Sequence, residues 1–168
     1  MAKRYHDTEI WKQDWYIELP HEYRELWHWI KDTCDHAGIW KPNKALFERL
    51  LGEKVNLKKA LSYYNKGKKR IRVLPNGRWF LEDFISFQYL SRADYLNPHN
   101  RLHLSIINIL LNNEVNLSSI RGLKDLTQGV KDKDKDKVIR FLKENNININ
   151  NRSKAEIERT KEYLDTLK

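Results

Sequence analysis

The chain has 168 residues, 40% of them apolar, and a formal charge of +9. That length suits one domain with an appendage or two small domains, and that apolar share is enough for a real core. No apolar run reaches the roughly eighteen residues of a membrane span, and Met1-Ala2-Lys3-Arg4 has no apolar stretch behind it, against a secretory signal. Cys34 stands alone, so no internal disulfide forms and a reducing, cytoplasmic setting fits.

Residues 1–19 carry Trp11, Trp15 and Ile17 among polar neighbours and read as an arm docking aromatics onto the core. Pro20 suits a first helical turn, and Tyr23, Leu26, Trp27 and Ile30 recur at helical spacing, predicting a helix over 20–33. Asp35-His36-Ala37-Gly38 breaks it, and Ile39-Trp40 reads as a short extended piece. Pro42 opens a second helix with Leu46, Phe47, Leu50 and Leu51 expected to face inward, closed by Gly52. Asn56 is a candidate N-cap for a third helix over 57–66, with Leu57, Ala60, Leu61 and Tyr64 on its buried stripe. Its other face presents Lys58, Lys59, Ser62, Tyr63 and Lys66.

Ile71-Arg72-Val73-Leu74 and Arg78-Trp79-Phe80-Leu81 flank Pro75-Asn76-Gly77, a strong hairpin signal. Phe84, Ile85, Phe87 and Tyr89 are expected to pack the base of this hairpin onto the body. A helix over about 98–111 follows, apolar on nearly every side, which calls for cover by its own domain or by a second copy. Residues 113–137, with the alternating run Lys131 to Lys137, read as a solvated linker. Val138, Phe141, Leu142 and the capping box Ser153-Lys154-Ala155-Glu156 predict short helices in a tail over 138–168. The fold class is thus mostly α with a small β-hairpin: a winged helix-turn-helix over 1–112, then a linker and short C-terminal helices.

Charge is concentrated where that fold would use it. From Lys54 through Leu81 there are nine basic residues and no acidic one, bracketed by Glu53 and Glu82. A recognition helix offers its side chains to base edges and phosphates in the major groove, and a wing adds contacts beside it. The expected DNA-binding residues are Lys58, Lys59, Ser62, Tyr63 and Lys66 on the helix, Lys68, Lys69, Arg70 and Arg72 on an exposed wing, and Arg78 across the hairpin. Among Trp27, Trp29, Trp40 and Trp79, Trp27 and Trp40 fall at core positions. Core is also the favoured reading of Trp79, which sits in the basic hairpin and is the one candidate of the four for stacking on a base.

Other constellations point nowhere so definite. His28, Asp32, Cys34, Asp35 and His36 straddle a helix and a turn without the paired spacing of a zinc site. His99 and His103 share a helix face but lack a third ligand, so polar surface is the reading. No Walker loop, Gly-x-Ser-x-Gly or dinucleotide fingerprint occurs, and acidic residues stand singly through 1–110, so neither catalysis nor a cofactor or metal is expected.

Three stretches resemble a known family. Lys3-Arg4-Tyr5-His6-Asp7-Thr8 with Trp11, the run Cys34 to Trp40, and Phe84-Ile85-Ser86-Phe87-Gln88-Tyr89 followed by Leu96-Asn97-Pro98 resemble phage- and prophage-encoded replication initiators, or replisome organisers, with a DnaD-like N-terminal winged helix. The resemblance covers about residues 1–112 and implies binding to double-stranded DNA at a replication origin, with recruitment of the replicative helicase or its loader. The tail departs from that family, being too short for its larger C-terminal domain. A winged-helix transcriptional regulator, binding a palindrome as a homodimer, and a phage structural or host-interaction protein are the alternatives of the same fold.

Overall fold

The computed structural model describes residues 3–89, Leu96 and 100–115. Asp7 caps a 3-10 turn, Thr8–Lys12, which leads into α1 (Asp14–Ile17). α2 (His21–Thr33) follows Pro20 and buries Tyr23, Leu26, Trp27 and Ile30, the predicted stripe. Asp35 then folds the chain back: its carboxylate accepts from the backbone N–H groups of Ala37 and Ile39, both at 2.9 Å. Gly38 has φ +76°, and a Cβ there would lie 2.8 Å from Phe84. Only glycine meets both demands without strain.

β1 (Ile39–Trp40) follows, then α3 (Lys44–Leu51), α4 (Leu57–Tyr64), β2 (Ile71–Val73) and β3 (Trp79–Leu81). Helix, strand, two helices and a hairpin, with the first strand joining the hairpin, make a mostly α fold around a small antiparallel sheet. α5 (Phe84–Tyr89) and α6 (Arg101–Asn112) complete the described elements. The sheet is antiparallel in the order β1-β3-β2, with Trp40 opposite Trp79 and Arg72 opposite Phe80. Among the described residues, no helix is long and apolar enough to cross a membrane.

Strand alternation gives this small sheet two covered faces. Trp40, Ile71, Trp79 and Leu81 enter one core with α2, α3 and α4. Ile39 and Phe80 enter a second with Leu74, Ile85 and the α6 residues Ile106, Ile107 and Leu110. The sheet's second face therefore covers α6. Leu104, Ile109 and Leu111 are half-buried on it and Leu102 is exposed.

Several boundaries and faces differ from the sequence reading. α3 is capped by Asn43, whose side chain accepts from the Leu46 N–H, so the helix starts two residues after Pro42. Of its four expected inward residues only Phe47 is buried; Leu51 is half-buried, while Leu46 and Leu50 are 42% and 60% exposed. So short a helix, set against α2 where Phe47 meets Trp29, cannot bury four side chains. Phe87 is likewise exposed on α5. α6 begins at Arg101, where the Asn100 side chain accepts from the N–H groups of Leu102 and His103.

The expected linker does not begin at 113. Asn113 and Val115 are buried, and Val115 belongs to the second core. Residues 116–168, including the Lys-Asp run and the tail, lie outside the described residues. A fragment cut after 112 is expected to be less stable than one cut after 115 by about 3–7 kcal/mol, from the burial of Val115 and the three side-chain hydrogen bonds of Asn113. Equal urea midpoints for the two fragments would refute this account of the boundary.

Candidate nucleic-acid interface

α4 is oriented by its buried side. The Asn56 side chain accepts from the Lys59 N–H at 3.0 Å, and Leu57, Ala60, Leu61 and Tyr64 fill the core. Tyr64 further donates its hydroxyl to the Tyr23 carbonyl at 2.8 Å. Lys58, Lys59 and Ser62 are thereby left in solvent, as expected. Tyr63 is only partly so, since its ring leans on Tyr23 at 5.2 Å. Ser62 donates to the Lys59 carbonyl, and the Lys59 ammonium sits 5.8 Å from the Tyr63 ring centroid. Lys54, Lys58 and Lys69 are exposed and form no ion pair among the described residues.

The segment after α4 is organised differently from the open wing the sequence suggested. α4 stops at Tyr64 because Asn65 turns the chain: its side-chain oxygen accepts from the N–H groups of Arg70 and Ile71, and its amide donates to the Ile71 carbonyl. Lys66 is thus in a loop, not on the helix, and meets Glu18 at 2.6 Å. Lys68 meets Asp83 at the same distance. Both pairs are more than half exposed, so they are weak and exchange readily with other anions.

Arg70 and Arg72 are structural residues in this arrangement, which corrects the expectation of an exposed wing surface. The Arg70 guanidinium donates to the carbonyls of Tyr64, Lys66 and Lys68 and lies 4.0 Å from the Trp15 ring centroid. Arg72 donates both edges of its fork to Glu82 at 2.7 Å, with side chains 22% and 17% exposed. Arg78 donates to the Asn113 side-chain oxygen at 2.8 Å. Trp79 is fully buried against Trp40, so no base reaches it.

No family model, curated protein or solved structure matches the chain.

Its own side chains therefore carry the functional reading. Trp15, Glu18 and Asn113, which engage the wing cations, were missed because each lies far from them in sequence. Glu82 was visible, but as the edge of the basic run rather than as the partner of Arg72.

The residues considered for a metal are dispersed in other roles. Asp35 closes the turn before β1. His28 meets the Tyr16 hydroxyl at 2.7 Å under the Trp11 ring, and burial pulls its pKa below the usual imidazole value. His36 meets the Ser105 hydroxyl at 2.8 Å. Burial pushes the Cys34 thiol up to about 12. His99 lies outside the described residues.

Proposed function

We propose that this chain is a DNA-binding protein that grips duplex DNA with α4 in the major groove and takes no part in catalysis. The observation that carries this reading is the solvent face of α4. It presents Lys58 and Lys59 with Ser62 between helical turns, on a helix locked in place by its opposite side. Lys54 ahead of the helix and Lys69 behind it add cations that no acidic side chain among the described residues neutralises. A solvated surface would mix both signs; this one offers a single sign at the position where a winged helix meets DNA.

Lys66 and Lys68 join as exchangeable contacts, each leaving an exposed carboxylate for a phosphate. The resemblance to phage replication initiators narrows the proposal to origin binding, with the replicative helicase or its loader as partner.

The test is a Lys58→Glu, Lys59→Glu, Lys69→Glu variant titrated with duplex DNA across a range of salt. Contacts to a charged group are worth about tenfold or more each, so losing three should weaken binding by about 1000-fold or more. The log–log salt slope should flatten by about 0.9 for each lost phosphate contact. A folded variant with the wild-type affinity and slope would overturn the proposal.

A further inference from the structure

Among the described residues, Asn113 is the one amide or charged side chain that is buried, at 5% exposure. It sits at the C-terminal cap of α6, and its amide nitrogen donates to the Ile109 carbonyl at 2.8 Å. Its oxygen accepts from two residues of the wing turn, the Asn76 amide at 3.0 Å and the Arg78 guanidinium at 2.8 Å. The turn is itself closed: Leu74 donates to the Arg78 carbonyl, Gly77 to the Leu74 carbonyl, and the Arg78 N–H to the Asn76 side chain. A buried amide thus ties the tip of a hairpin with three-residue strands to the end of a helix on the sheet's far side.

The consequence falls on Arg78. Its neighbours on the wing are satisfied within the protein, Arg72 by a carboxylate and Arg70 by three carbonyls and an indole. Arg78 has one neutral acceptor, at one nitrogen. The other N–H donors of its guanidinium have no partner among the described residues, although the side chain is partly buried. Glu114, next to Asn113, forms no ion pair with it.

A guanidinium partly withdrawn from water, fixed in orientation and lacking a counter-ion, is suited to an external oxyanion. A second cation lies close in the register. Trp40 pairs with Trp79, so Lys41 follows at the end of the sheet where Arg78 stands. Lys41 is exposed and unpaired among the described residues.

We propose that Arg78, positioned by Asn113 and joined by Lys41, is a phosphate-binding site at the wing turn. It takes a backbone phosphate of the duplex held by α4. This rests on the DNA-binding reading above and adds to it a contact governed by the C-terminal end of α6. Asn113 is a positioning residue: it touches no DNA, and it acts through the guanidinium that it holds.

The experiment compares the full chain with Arg78→Gln, Asn113→Asp and the double variant, each titrated with duplex DNA at several salt concentrations. Arg78→Gln is expected to weaken binding about tenfold and flatten the salt slope by about 0.9. Asn113→Asp keeps the side chain's size but sets a carboxylate on the guanidinium, occupying the place of the phosphate. It should reproduce both changes although Arg78 is present, and the double variant should bind no more weakly than Arg78→Gln alone. A purely structural Asn113 would lower the melting temperature and leave the slope of the folded protein unchanged, which would remove its positioning role.

Wild-type affinity and slope in Arg78→Gln, while the α4 triple variant loses binding, would overturn the wing-turn site and leave the α4 reading standing. Unchanged binding in both variants would overturn the two together. Should Asn113→Asp fail to fold, Arg78→Gln and Lys41→Gln still decide whether the phosphate contact exists.

Discussion

Reversing Arg70 and Arg72 to glutamate is expected to unfold the chain, not merely to weaken its hold on DNA. Arg72 and Glu82 form a two-pronged pair that is mostly out of water, and removing one partner of such a pair costs about 3–5 kcal/mol. The residual exposure places this pair near the low end of that range, but a glutamate at 72 adds repulsion from Glu82. Arg70 holds three carbonyls and covers Trp15; its charged hydrogen bonds and ring contact contribute about another 2–4 kcal/mol. The sum is comparable to the whole stability of an ordinary domain, about 5–15 kcal/mol. Urea unfolding with a wild-type midpoint in the double variant would refute this account of the wing base. The α4 triple variant is the contrast, losing DNA while keeping its midpoint.

Gly38→Ala is also expected to destabilise the fold. A side chain at φ +76° costs about 1–2 kcal/mol. The added Cβ also lies 2.8 Å from three carbon atoms of Phe84, a buried side chain that cannot swing into solvent. Overpacking of that kind costs about 1–3 kcal/mol more, so the total is about 2–5 kcal/mol. A cycle with Phe84→Ala isolates the ring's share, since that change removes the contacts at Cγ and Cδ1 but keeps the Cβ contact and the backbone conformation. Gly38→Ala should therefore cost less in the Phe84→Ala background. Equal costs in the two backgrounds would exclude the ring contact, and no cost at all would exclude both terms.

Local signals made much of this helix-and-hairpin fold readable from the sequence. Asn56 caps α4 as its side-chain type suggests, the Asn76-Gly77 hairpin forms, and Gly38 ends the first turn for a steric reason. Long-range pairing was harder to see. Arg70 and Arg72 lie inside a run of cations. Glu82, which pairs with Arg72, and Trp15, which Arg70 covers, come from distant elements, while the three carbonyls that Arg70 holds are nearby backbone groups that no side-chain type announces. The inward stripe of α3 was overdrawn because helical period reports which residues share a side, not how wide a side the neighbours cover. One legible signal went unused: Trp79-Phe80-Leu81 is an unbroken apolar run, the pattern of a strand covered on both faces. It accounts for the apolar character of α6 within a single copy of the chain.

The pairing of β1 with β3 sets two fully enclosed indoles, Trp40 and Trp79, edge to face at 5.2 Å and 61°. Ring systems so close and so fixed couple their ultraviolet transitions, and asymmetric aromatic packing produces the near-ultraviolet circular dichroism that loosely packed states lose. The protein therefore carries an intrinsic optical gauge at the seam between its first strand and its hairpin. That band fades when the seam opens, even where the far-ultraviolet helical signal persists.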